Sequence, residues 1–185
     1  MEKQDMNYLQ LFDRWIALTT LSEEDRKALV ERIHDEVSVG VQALAGVSAK
    51  EMERVLTDAS YDQKEKYLKL AVPVLALAAF DGYLMALMER GVNPQTANLT
   101  ENEKTKGLGE RWSKGYEKDQ NVSVIEKTDT IVSLILNRMY ELRVNQILSF
   151  HPEIVELPYK VTEKLNQYFG WAVHQGYVLG VMEQE

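Results

Sequence analysis

The chain has 185 residues, a net charge of −8 and no cysteine. That length suits one domain with a real core, and hydrophobic and charged fractions of 45% and 27% are those of a globular protein, so a disordered chain is excluded. The missing thiols exclude disulfides, zinc–thiolate and iron–sulfur centres and thiol nucleophiles, while acid outnumbers base on both sides of residue 91 and so disfavours nucleic acid as a partner.

The opening MEKQDMNYLQLFDRW lacks a basic start followed by an apolar run, so no secretory leader and a cytoplasmic setting are expected. A first helix is predicted over Met6–Leu18, with Leu9, Phe12 and Ile16 on one face. Ser22, followed by Glu23, Glu24 and Asp25, marks the next start, and the helix runs to about Ala45 with Leu29, Ile33, Val37, Val41 and Leu44 as its stripe. Gly46 reads as its stop, and Ser48 with Glu51 as the capping box of a short helix over Ala49–Ala59. Ser60 with Gln63 opens a long helix that ends at Arg90 and Gly91, with Pro73 expected to kink or divide it at Val72.

Within that helix lies LAVPVLALAAFDGYLMALM, Leu70 to Met88. Its unbroken apolar part stops at Phe80, short of the roughly 20 residues that a bilayer requires. Asp81 would then sit near mid-membrane, so a buried bundle helix is expected and no membrane partner.

Residues 92–122 differ in character. They carry Gly107, Gly109 and Gly115, few large apolar residues and balanced charge, and read as a polar connecting segment. Beyond them, Ser123 with Glu126 opens a helix over Val124–Ser149. Pro152 and Pro158 bracket a turn, and a last helix covers Tyr159 to about Met182. Nothing alternates with period two, and prolines and glycines are few. The expectation is an all-α bundle of six or seven helices forming a single domain over 1–185, with halves at 1–91 and 123–185.

The two halves share an echo. Residues 82–90 read GYLMALMER and residues 176–184 read GYVLGVMEQ, each closing a long helix that follows another long helix. The pattern points to two pseudo-repeated αα-hairpins, and chance likeness of Leu- and Met-rich helix ends is the plainer alternative. Ala172, Gly176 and Gly180 fall on one helical face, as do Ala78, Gly82 and Ala86. Such faces serve close packing within the domain or a homo-oligomer contact.

Few side chains suggest chemistry. Asp81 falls on the apolar stripe Leu77, Leu84 and Met88, where a carboxylate needs a hydrogen-bond partner or a cation. In the echo it aligns with Gln175, beside His174, so these three form a candidate buried polar or ligand site. Glu31 and His34 supply one Glu-x-x-His, whereas a di-iron bundle needs that pair twice. Glu31, Asp35 and Asp81 are weak candidates for magnesium, as in a helical nucleotide pyrophosphohydrolase, whose dense quartet of carboxylates is incomplete here. No catalytic triad, phosphate loop or dinucleotide fingerprint is present, so no cofactor is expected. The remaining reading is a small protein acting by binding another protein, with Arg111, Trp112 and Tyr116 of the polar segment as the contact. A structural homo-oligomer is the further alternative.

Overall fold

A computed structural model of the chain describes residues 13, 16, 22–33, 35–94, 96 and 130–184. These residues form five helices and no strand: α1 (Glu23–Arg32), α2 (Asp35–Val55), α3 (Tyr61–Glu89), α4 (Thr130–Leu148) and α5 (Tyr159–Gln184). The all-helical expectation holds, whereas the count of six or seven is not reached among the described residues. The first expected helix lies outside them, except that Asp13 and Ile16 are helical.

One difference comes from the stretch around Gly46, where the sequence predicts a stop and a fresh start. α2 instead runs through Gly46 to Val55. Val37, Val41, Leu44, Met52 and Leu56 continue one buried stripe across that point. Each such side chain stabilises by roughly 1.5–3 kcal/mol when buried. That outweighs the roughly 1 kcal/mol a glycine costs inside a helix. Ser48, expected to cap, is buried mid-helix and donates its hydroxyl to the Leu44 carbonyl at 3.0 Å. The expected single helix over Glu23–Ala45 is in turn broken at Ile33, where α1 ends and α2 begins.

The ends of α3 follow the sequence closely. The Ser60 hydroxyl accepts from the Gln63 backbone N–H at 3.3 Å, and the Gln63 side chain accepts from the Ser60 N–H at 3.2 Å, completing the capping box. At the other end Gly91 adopts φ of 78°, which lets its own N–H reach the Met88 carbonyl and that of Val92 reach the Leu87 carbonyl. Pro73 does not divide the helix. The flanking Leu70, Ala71, Val74 and Leu75 are all buried, and this packing offsets the roughly 3 kcal/mol that an interior proline costs. By length and composition α3 could cross a membrane, but 72% of its most apolar window is buried inside the protein, as befits a core helix.

α3 and α5 form the most extensive contact and make the centre of the molecule. α2 lies against both of them, and so does α4, while α2 and α4 do not meet. The core therefore has a central helix pair with one helix on each flank. Tyr168 of α5 meets Trp171 edge-on at 6.3 Å, and burial together with the nearby Glu51 carboxylate of α2 raises its pKa.

Candidate functional site

Asp81 sits in the part of α3 that is buried on nearly every side, and its side chain is 1% exposed. A bare carboxylate there would be costly, and the partner is Arg143 of α4, itself buried. The guanidinium grips it in two places: Nε donates to Oδ2 at 2.7 Å and Nη2 to Oδ1 at 2.5 Å. Arg143 Nη1 donates to Gln146 Oε1 at 2.7 Å. Both carboxylate oxygens are thus bound by one planar donor, the strongest common form of ion pair. The sequence carried a signal for this pairing, because Ile135, Met139 and Arg143 share one helical face whose other members are core.

One turn before Arg143, Tyr140 is buried against Phe169 of α5, ring centroids 5.6 Å apart and edge-on. Its hydroxyl has no hydrogen-bond partner among the described residues, and burial pushes its pKa up to about 12. Gln175 is buried as well, but His174 is exposed. The expected buried trio therefore loses its histidine: positions 174 and 175 are adjacent on a helix, and turning Gln175 inward turns His174 out. Glu31 and Asp35 are also exposed. Among the described residues no three acids and histidines come together as a metal site. For Asp81 to bind magnesium, Arg143 would first have to leave.

The small-residue faces meet each other. A Cβ added at Gly82 would lie 2.0 Å from the Val173 carbonyl oxygen, and one at Gly176 would lie 1.8 Å from the Ala79 carbonyl oxygen. At Gly180 it would come 2.7 Å from the Ala86 Cβ and 2.9 Å from the Tyr83 carbonyl oxygen. These approaches place α3 and α5 side by side and running the same way, with backbones too close for any side chain at the three glycines. Ala172, Gly176, Gly180 and Gly82 are thus used within the chain, and a second copy would have to dock elsewhere.

Beyond the glycines the two helices exchange hydrogen bonds reciprocally. Tyr83 of α3 donates to the Glu183 carboxylate of α5, and Tyr177 of α5 donates to the Glu89 carboxylate of α3. The offset that carries Gly82 onto Gly176 also carries Tyr83 onto Tyr177 and Glu89 onto Glu183. Burial, with the carboxylate acceptor beside it, raises the Tyr83 pKa well above the usual tyrosine value.

On the outside, Tyr61, Leu68, Val72 and Pro73 line a shallow groove with Glu53 and His151. Tyr61, Phe150, Val155 and Tyr159 are 72–91% exposed, a concentration of large apolar side chains at the start of α3 and around the α4–α5 connection. Arg111, Trp112, Tyr116 and His34 lie outside the described residues. Comparison of the chain with protein-family models, with curated proteins and with solved structures found no match.

Proposed function

We propose that this chain is a cytoplasmic binding protein of the regulator, inhibitor, immunity or adaptor type, acting on another protein through its surface and without chemistry of its own. The observation that supports this reading is the disposition of its polar and apolar groups. The strongest charge constellation in the core is closed on itself, because Asp81 is held by both arms of Arg143. What faces water instead is the aromatic and apolar group of Tyr61, Phe150, Val155 and Tyr159. A net charge of −8 favours a basic protein as the partner. Trp112, Tyr116 and Arg111 are the second proposed contact, on the strength of their residue types.

The test is affinity capture from source cells, comparing the wild-type chain with Tyr61→Ser/Phe150→Ser and with Trp112→Ala/Tyr116→Ala. A specific basic protein captured by the wild type and lost in either variant, at unchanged helicity, supports the reading and tells which surface is used. Retention by both variants overturns both surfaces. Divalent metal that raises the Tm of the wild type but not of Asp81→Asn would favour the magnesium enzyme instead.

The same reading takes the two halves as a duplicated αα-hairpin. The reciprocal Tyr–Glu bonds, the mutual glycine contacts, and the placement of α2 and α4 on opposite flanks of α3 and α5 support it. The connecting pieces differ from expectation, since Ala49–Val55 belongs to α2 and the first hairpin turns within 56–60.

A further inference from the structure

The two flanking helices are held in different ways. α2 packs extensively on α3 and also on α5, burying Val37, Val41, Leu44, Ala45, Met52 and Leu56. Among the described residues α4 meets α3 much less and α5 less again. From residue 135 onward its buried side chains are Ile135, Met139, Tyr140, Arg143 and Val144. Two of these five carry polar groups, and they pull in opposite directions.

Arg143 is bound to Asp81 at 2.5 and 2.7 Å only while α4 is seated. A shift of α4 by a few ångströms would leave two desolvated charges apart, which is prohibitive unless water enters. Such a pair disfavours any position of α4 between fully seated and fully hydrated. Tyr140 acts against seating: its hydroxyl has no partner among the described residues while α4 is in place, and it meets water when α4 lifts. Apolar contact with α5, including the Tyr140–Phe169 pair, makes up part of the balance.

We propose that α4 is a strap that lifts from α3 and α5 as a unit, ahead of any unfolding of α2, α3 and α5, with the Asp81–Arg143 pair setting the register in which it reseats. Lifting exposes Phe169 and the Asp81 carboxylate on the central pair.

Hydrogen exchange read by mass spectrometry on the full chain tests this directly. In the wild type, amides of α4 from Ile135 to Leu148 should exchange at least tenfold faster than those of Val74–Leu87 in α3 and Leu165–Gly180 in α5. Tyr140→Phe should slow α4 alone, and Asp81→Asn should speed α4 by a further tenfold or more while α3 and α5 stay protected. If Asp81→Asn fails to fold, the wild type and Tyr140→Phe still decide the matter. Equal exchange of α3, α4 and α5 in the wild type would overturn the proposal. So would a Tyr140→Phe effect spread evenly over all three helices.

Discussion

α2 and α4 occupy opposite flanks of the α3–α5 pair, yet they are secured by different physics. On the α2 side the contact is a continuous apolar stripe, long enough to carry the helix through a glycine and past a potential cap. On the α4 side the apolar contact of the described residues is joined by one bidentate ion pair and by a hydroxyl that has no partner among them. Apolar burial is graded and tolerant of small shifts, whereas a buried ion pair is directional and costly to break. The same position in a bundle can thus be a fixed wall on one flank and a seat with a defined register on the other.

The largest effect should come from breaking that seat. Arg143→Met should lower the unfolding free energy by about 3–5 kcal/mol, because it strands a buried carboxylate. Urea denaturation followed by circular dichroism measures it. Asp81→Leu combined with Arg143→Met should recover most of the loss, since an apolar pair of similar volume is tolerated where half an ion pair is not. The α2 flank has no counterpart: Leu44→Ala should cost about 2–5 kcal/mol, with no single partner whose change restores it.

The central pair gives the next effect. Gly176→Ala drives a methyl group into the Ala79 carbonyl, a backbone atom that cannot step aside, and should cost about 3 kcal/mol. Gly82→Ala should do likewise from the other helix, and unequal costs would show how far the two halves are truly equivalent. Tyr83→Phe removes the bond to Glu183 and should cost about 1.5 kcal/mol. Tyr140→Phe should be neutral or stabilising, because its hydroxyl has no partner among the described residues.

These two tyrosines also fix a pH dependence. Their pKa values are raised in the folded state, so the unfolded chain gives up these protons first. Stability from this source is fully present below pH 10 and is lost as the pH climbs from there, through about 12 for Tyr140. Denaturation midpoints at pH 8 and pH 11 should differ, and Tyr83→Phe should narrow the gap. The smallest effect belongs to Gly46, which is exposed, helical and has open space where a Cβ would go. Gly46→Ala should stabilise the chain by about 0.5–1 kcal/mol, strengthening the α2 flank alone.

What could be read from the sequence divides along the same physical lines. Local signals were legible: the Ser60–Gln63 box, the Gly91 terminus and the apolar course of α3 all act within a few residues. Gly46 misled because a local stop signal competed with a stripe that only the folded core rewards. Asp81 stood out as a carboxylate among apolar residues, and Arg143 shares the core face of α4 with Ile135 and Met139, but the two lie 62 positions apart and neither segment alone encodes which partner it meets. The Gly-Tyr echo was visible, yet its role as a reciprocal latch depends on α3 and α5 lying parallel and in register, which no single segment encodes.

The central claim, that α4 is seated by one charge pair where α2 is seated by apolar burial, reduces to a coupling free energy. A double-mutant cycle on Asp81→Leu and Arg143→Met, read by equilibrium unfolding, measures it. The expected result is a coupling of at least about 3–5 kcal/mol, because Arg143→Met alone costs that much while the double variant stays near wild-type stability. Single-variant costs that simply add, to within about 0.5 kcal/mol, would contradict it.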